Sequence, residues 1–135
     1  MPHWLLKTEP STYSFPQLVK DRTTTWDGVA APAALLHLRG MAKGDEVLIY
    51  HSGEEKAIVG RATVIRAAYP DPKQKDPRFV AVDLKAGPAI PTPVTLATIK
   101  ADPAFKSFAL VRISRLSVMP VSAVEWKRLL QMGGA

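Results

Sequence analysis

The middle of the chain reads Gly44-Asp45-Glu46-Val47-Leu48-Ile49-Tyr50-His51-Ser52. Gly44-Asp45 is typical of a turn, and the β-branched and aromatic residues after it predict a strand from Glu46 to His51. Side chains alternate across a strand, so odd-numbered positions should share one face and even-numbered positions the other. Polar groups gather at the carboxyl end, at Tyr50, His51 and Ser52. We therefore expect the mouth of a binding site at this end of the strand.

Further strands are predicted on both sides of this one. They are short apolar runs bounded by Gly, Pro or Asp, and they lie at residues 3–7, 56–69, 78–85 and 110–118. Gly60 lies inside the second run and predicts a bend there. Residues 70–77 and 87–93 are rich in proline and are expected to form irregular connections.

Helices are predicted between and after these strands. Ser14 and Gln17 form a capping-box pattern for a short helix that ends near Asp21. Ser122 and Glu125 form a second one, for a C-terminal helix that stops at Gly133-Gly134. Two more helices are expected at residues 31–38 and 95–100. The pattern favours an α+β fold, a small mixed β-barrel of about five to six strands with short flanking helices, in a single domain of residues 1–135.

Composition restricts the class of protein. The 135 residues carry a formal net charge of +6, which permits binding to nucleic acid through its phosphates. There is no cysteine, and the three histidines have no metal-ligand spacing, so no metal site and no cofactor is expected. No apolar run reaches the roughly 18 residues of a membrane helix, so no membrane partner is expected. The simplest expected location is the cytoplasm if the protein is bacterial, or the nucleus if it is eukaryotic.

The sequence offers little support for an enzyme. No phosphate-binding glycine loop or nucleophile elbow is present. His51 and Ser52 are neighbours on a strand and should point to opposite faces, so they cannot form a nucleophile and base pair. Glu9 and His51 are the only obvious titratable candidates, and no catalytic residue is assigned. Glu9 is instead suited to accept hydrogen bonds from a base edge, to pair with a lysine or to cap a turn.

Two positions have alternative interpretations from local sequence. Trp26 follows three threonines and precedes the Asp27-Gly28 turn signal, so it is either a stacking platform for a flat ligand or a plug at the rim of the core. Arg115 lies in the predicted last strand between Ser114 and Ser117, and its partner is either a carboxylate, solvent or a phosphate.

Several blocks occur in a fixed order that runs nearly from end to end of the chain. They are Trp4-Leu5-Leu6-Lys7-Thr8-Glu9-Pro10, Trp26-Asp27-Gly28-Val29, the Gly44 to Ser52 block, Ile58-Val59-Gly60, Tyr69-Pro70-Asp71-Pro72 and Arg115-Leu116-Ser117-Val118-Met119-Pro120-Val121. Together they resemble the EVE domain of the thymocyte nuclear protein 1 family and its bacterial relatives. EVE domains are PUA-like, related to YTH and ASCH domains. The resemblance implies a β-barrel with a pocket for a nucleobase, and a reader of modified bases such as 5-methylcytosine and its oxidised forms in DNA, or of modified RNA.

The resemblance also implies a set of binding residues. They are the positions that match the family's blocks: Lys7, Glu9, Trp26, Tyr50, His51, Ser52, Arg115, Leu116 and Ser117. By this analogy one base leaves its strand, stacks on Trp26 and is read at its edge by Ser52, Ser117 or backbone groups. Arg115 and Lys7 meet the flanking phosphates.

One segment departs from the family pattern. After Val29 the family usually has Arg-Asn, then an aromatic residue or Pro, then Gln-Ala-Arg-Asn, whereas this chain reads Ala30-Ala31-Pro32-Ala33-Ala34-Leu35-Leu36. The departure implies a different ligand, a more apolar pocket or weaker binding to nucleic acid. A binder of free nucleosides or other small molecules, and less favourably an enzyme acting on a base, are the alternative functions.

Overall fold

Residues 2–135 are described by a computed structural model. The strands are β1 (His3–Thr8), β2 (Thr23–Trp26), β3 (Glu46–His51), β4 (Ala57–Pro70), β5 (Val80–Thr95) and β6 (Val118–Val121). The helices are α1 (Phe15–Asp21), α2 (Pro32–Arg39), α3 (Leu96–Ala101), α4 (Ala109–Arg112) and α5 (Ala123–Met132), with a 3-10 turn at Pro103–Phe105. The predicted α+β class and the upper strand number are therefore confirmed.

The strands form one mixed sheet in the order β2-β5-β4-β3-β1-β6. β1 and β3 are parallel, with Thr8 opposite His51, and the other neighbours are antiparallel. The carboxyl ends of β1 and β3 therefore lie at the same edge of the sheet. Within residues 2–135 no ladder joins β2 to β6, so the hydrogen bonding of the predicted barrel is not closed.

The core runs along the central strands. Leu5 and Leu6 of β1 and Val47, Leu48 and Ile49 of β3 are at most 1% exposed. Consecutive buried positions mean that both faces of these strands are covered, as expected where a parallel pair lies inside a fold. Among the helices, α2 packs against β5 and β6, and α5 packs against β5.

Gly60, where a bend was predicted, lies at an irregularity in the pairing of the long β4 strand. The pairing of β4 with β5 shifts register on both sides of Gly60. A Cβ at this position would lie 2.3 Å from the Phe15 ring, so only glycine lets α1 seat that buried ring on the strand.

The prediction of a strand at residues 110–118 was wrong. Ala109–Arg112 form the short helix α4, a turn follows, and the strand β6 begins only at Val118. A short apolar run does not distinguish a helical turn from a strand. In the structure Phe108, just before α4, and Leu110 within it are buried, whereas Ile113 after the helix is 52% exposed.

The prediction of an irregular connection at residues 87–93 was also wrong, because β5 continues through it to Thr95. β2 pairs with β5 only from Val82 to Lys85. Beyond Lys85 one side of β5 has no partner strand among residues 2–135, and prolines are tolerated on such a free edge. The strand β2 itself was not predicted. No helix among the described residues is long and apolar enough to span a membrane.

Candidate functional site

A cleft of about 550 Å³ lies between the end of β1 and the edge strand β2. Its lining comes from residues 7–9 with the following turn, from residues 24–30, and from Lys73 and Ser117. Three strands separate β1 from β2 in the sheet order, so the sheet must curl for both to reach one cleft. The cleft therefore lies where the open barrel fails to close, and its volume is within the range of small-molecule pockets.

Trp26 is both a core residue and part of the cleft wall. It is 8% exposed, belongs to the buried cluster and lines the cleft. The Tyr13 ring meets it edge to face, with centroids 6.1 Å apart and planes at 85°, a favourable geometry for aromatic pairs. Trp26 is therefore packed into the core, and its small exposed part belongs to the cleft wall.

A buried carboxylate, that of Asp71, holds the loop after Trp26 through a hydrogen bond. Gly28 has a φ of 74°, a conformation that glycine adopts without strain, and its N–H donates to Asp71 Oδ2 at 3.1 Å. Asp71 is 2% exposed, and its other oxygen accepts from the Lys73 N–H at 2.8 Å. One side chain therefore ties the cleft loop to the connection between β4 and β5. Sequence reasoning missed this role, although Asp71 lies in one of the blocks that carry the family resemblance.

An exposed ion pair lies on the cleft. Lys73 Nζ is 3.1 Å from Asp27 Oδ2, and the Lys73 side chain is 76% exposed. Exposed pairs of this kind contribute at most about 1 kcal/mol. The pair can therefore open at little cost, and Lys73 is a cation available to a ligand. Lys73 was not predicted, since nothing local distinguishes it from other lysines of its loop.

Lys7 is the second cation of the cleft, and it is held in place. Its Nζ donates to the Ser114 carbonyl at 2.9 Å and lies 5.7 Å from the centroid of the Tyr50 ring. The backbone N–H of Lys7 donates to the Ser117 carbonyl at 2.9 Å, and this hydrogen bond joins β1 to the segment before β6. Burial lowers the pKa of Lys7 below its ordinary value. The ammonium group forms no ion pair within residues 2–135. The hydrogen bond to the Ser114 carbonyl, rather than a carboxylate, holds it in position.

Glu9 supplies an anionic group at the same cleft. Its Oε1 accepts from the Ser11 N–H at 3.0 Å and from Ser11 Oγ at 2.9 Å. These two hydrogen bonds hold the pKa of Glu9 below its ordinary value. Oε2 makes no hydrogen bond to the described part of the chain, and it lies so near Gly53 that a Cβ there would be 2.4 Å away. Glu9 is therefore an ionised acceptor with one oxygen free.

Four of the predicted binding residues come together in this cleft, and five do not line it. Lys7, Glu9, Trp26 and Ser117 line it. Outside the lining are Tyr50, His51, Ser52, Arg115 and Leu116.

The residues at the end of β3 support the cleft from outside. Tyr50 is 3% exposed, and its ring lies under the Lys7 ammonium group. Burial raises the pKa of Tyr50. His51 Nε2 accepts from the Phe15 N–H at 2.9 Å, so the other ring nitrogen carries the proton and donates to Glu55 at 2.7 Å. His51 thereby fixes the start of α1. The Ser52 N–H donates to the Thr8 carbonyl and extends the ladder between β1 and β3.

Of the three predicted binding residues before β6, only one lines the cleft. Arg115 is exposed in a turn rather than in the predicted strand, Leu116 is buried at 6% exposed, and only Ser117 reaches the cleft.

The lining as a whole combines two cations, the carboxylates of Glu9 and Asp27, threonine hydroxyls and an indole. Such a set suits a small planar molecule with donors and acceptors along its edge. Among residues 2–135 no group of three or more His, Cys, Asp or Glu side chains is arranged to hold a metal ion.

Comparison with known proteins gives a consistent set of relatives. The family model described as EVE domain matches residues 2–132. A Rhodopseudomonas palustris protein solved by NMR is 48% identical with a TM-score of 0.94, over 99% of this chain and 94% of that one. Human thymocyte nuclear protein 1 is 27% identical over 96% of this chain and 73% of its own length. The crystal structure of human THYN1 protein in complex with 5-methylcytosine containing DNA is 28% identical with a TM-score of 0.91, over 100% of this chain and 99% of that one.

Proposed function

The chain belongs to the EVE domain family, and we propose that it binds nucleic acid without catalysis and holds one modified nucleobase in the cleft beside Trp26. One observation carries the proposal. Trp26, Glu9 and Lys7 line a single cleft of about 550 Å³, and one oxygen of Glu9 has no hydrogen-bond partner among residues 2–135. The human relative in complex with 5-methylcytosine containing DNA supports the choice of ligand class.

Each lining group has a role suited to an extruded base. The free oxygen of Glu9 accepts from an exocyclic amino group such as that of cytosine. Ser117 and the threonines of β2 offer hydroxyls to the remaining edge. Lys7 and Lys73 meet the phosphates on either side, which dominate affinity and make it dependent on salt. Taking a base out of its stack costs a few kcal/mol, and these contacts offset that cost.

Trp26 contributes less stacking than its type alone implies. Stacking of a base on an aromatic ring is worth about 1–3 kcal/mol, but with 8% of the residue exposed only a small part of the ring meets the ligand. We expect the lower end of that range. Trp26 then acts chiefly as a rigid wall that sets the width of the cleft.

The apolar side of the cleft favours a methyl group over polar modifications. Val29 and Ala30 line it next to Trp26, where the family pattern has Arg-Asn directly after the valine. A buried methyl group contributes about 0.8 kcal/mol, roughly a fourfold gain in affinity. Hydroxymethyl, formyl and carboxyl groups find no side-chain donor at Ala30. We therefore propose 5-methylcytosine, rather than its oxidised forms, as the preferred base.

Titration of short oligonucleotides tests the proposal. Fluorescence anisotropy is measured with single- and double-stranded DNA, and with RNA, that contain cytosine or one 5-methylcytosine, at low and physiological salt. We expect salt-dependent binding and tighter binding of the methylated strand. Absence of binding to every oligonucleotide overturns the proposal.

A free-nucleoside binder is the second candidate, favoured by one observation. Residues 30–33 present exposed alanine and proline where cationic and amide side chains would contact a strand. A rise in Tm with 5-methyl-2′-deoxycytidine, together with no binding of any oligonucleotide, would establish this alternative. An enzymatic role is less favoured, because the lowered pKa of Glu9 makes it a weak base and both ring nitrogens of His51 are hydrogen-bonded.

A further inference from the structure

A second depression adjoins the cleft on the far side of the loop that follows Trp26. This groove, of about 320 Å³, lies between α2 and the start of β5 and is lined by Ala30, Pro32, Leu35, Arg39, Arg78 and Phe79. Ala30 lines both the groove and the cleft. A chain leaving the cleft across Ala30 therefore enters the groove directly.

The floor of the groove is apolar and its rim is cationic. Pro32, Leu35 and Phe79 form the floor. The guanidinium of Arg39 donates one hydrogen bond to the Arg78 carbonyl and makes no ion pair within residues 2–135. Since a guanidinium has five N–H donors, most of those of Arg39 remain free for an anion. An apolar surface that includes the Phe79 ring, beside a guanidinium with free donors, suits a nucleotide. Its sugar and base would cover the floor, and its phosphate would meet the arginine.

Arg78 has a smaller part in this chemistry. Its guanidinium forms two hydrogen bonds to Asp76, at 2.9 Å and 2.7 Å, and lies 6.0 Å from the centroid of the Phe79 ring. Arg78 therefore already has a carboxylate partner, although an exposed pair of this kind is weak. The unpaired cation of the groove is thus Arg39, at the end of α2 and distant in sequence from every cleft residue except those of the 24–30 segment.

We propose that the groove binds the nucleotide next to the base held in the cleft, with its phosphate on Arg39 and its base or sugar over Phe79. This inference rests on the proposed function, since the same strand occupies both depressions. It also gives the apolar segment 30–36 a role: Ala30 is small enough to let the strand pass, and Pro32 and Leu35 form the surface on which it lies.

The affinity of Arg39→Gln for a strand and for a nucleoside tests the proposal. The ligands are a five-nucleotide single strand with a central 5-methylcytosine and the free nucleoside 5-methyl-2′-deoxycytidine. We expect the variant to bind the strand about fivefold to tenfold more weakly, with a salt slope reduced by about 0.7 for one lost phosphate contact. Nucleoside affinity should not change. Lys127→Gln, an exposed position on α5 that lines neither depression, is the matched control.

Photochemical cross-linking locates the neighbouring nucleotide independently. The strand carries 5-iodo-2′-deoxyuridine on either side of the 5-methylcytosine, and we expect a cross-link to the peptide that contains Phe79. Unchanged strand affinity and salt slope in Arg39→Gln, or equal losses in Lys127→Gln, overturn the proposal while wild-type binding stands. Cross-links confined to other peptides do the same. If the wild-type protein binds no strand, the proposed function fails first and this inference falls with it.

Discussion

The backbone N–H of Gly28 donates to the buried carboxylate of Asp71 at 3.1 Å, across 43 positions of the chain. Asp71 also accepts from the N–H of Lys73. The loop that carries Trp26 and the loop that carries Lys73 are therefore set against each other by one side chain. The width of the cleft depends on this contact, because both loops contribute to its lining.

Asp71→Asn should reduce both stability and ligand affinity. The amide has one acceptor oxygen, so either the Gly28 or the Lys73 N–H loses its partner, and an unsatisfied buried group costs about 1–3 kcal/mol. Urea unfolding measures the loss. Glu54→Gln, an exposed loop position, is the control and should change the free energy of unfolding by less than about 0.5 kcal/mol. Equal stability of Asp71→Asn and wild type would show that Asp71 does not hold the loop.

Gly60→Ala should destabilise the protein through Phe15. The added Cβ would lie 2.3 Å from the ring, and overpacking of a core costs about 1–3 kcal/mol. The double variant Gly60→Ala with Phe15→Leu makes room for the methyl group, so the two losses should be less than additive. Additive losses in urea unfolding would mean that the two positions do not interact.

Local signals account for much of the fold and only part of the cleft. The capping box at Ser122 and Glu125 was predicted and is confirmed, because such a motif needs only neighbouring residues. β2 was missed, since a four-residue strand exists only through its pairing with β5. Family resemblance selected Lys7 and Trp26, which line the cleft.

Residues that act through long-range contacts escaped prediction. Asp71 and Lys73 reach the cleft because the connection between β4 and β5 folds back on the loop at Gly28, which no local pattern records. His51 was expected at the site, but its hydrogen bonds to Phe15 and Glu55 place it outside the cleft lining. The end of a strand predicts where polar groups gather, whereas the curl of the sheet decides which of them line the cleft.

The titration of Glu9 should depend on Ser11. Two hydrogen bonds from Ser11 hold the pKa of Glu9 below its ordinary value, so the stabilising effect is present above that ordinary value and is lost as pH falls through the lowered pKa. Removing the hydroxyl in Ser11→Ala should raise the pKa of Glu9. Carbonyl-detected NMR follows the Glu9 carboxyl carbon against pH, with Glu54 as internal reference. An identical midpoint in both proteins would contradict the assignment of the hydrogen bond.

Ala30→Arg should change which modification is preferred. An arginine restores the charge that the family pattern places after Val29 and should pair with a carboxyl group on the base. The ratio of affinities for 5-carboxylcytosine and 5-methylcytosine strands should rise about tenfold, since a charge-assisted pair is worth about 1.5–3 kcal/mol. Ala33→Arg, exposed on α2 and outside both depressions, is the control and should tighten both strands equally. An unchanged ratio in Ala30→Arg would remove Ala30 from the account of specificity.

The indole N–H resonances of the three tryptophans provide the most direct test of the cleft. Trp4 donates to the buried Asp45 and Trp126 stacks on His3. Neither residue lines the cleft, whereas Trp26 does. A ¹⁵N-labelled sample is titrated at physiological salt with a short strand that contains one 5-methylcytosine. We expect the Trp26 indole and Gly28 amide signals to shift with added strand and those of Trp4 and Trp126 to stay in place. Shifts at Trp4 or Trp126 without a change at Trp26, or no shift at any strand concentration, would rule out binding of the strand beside Trp26.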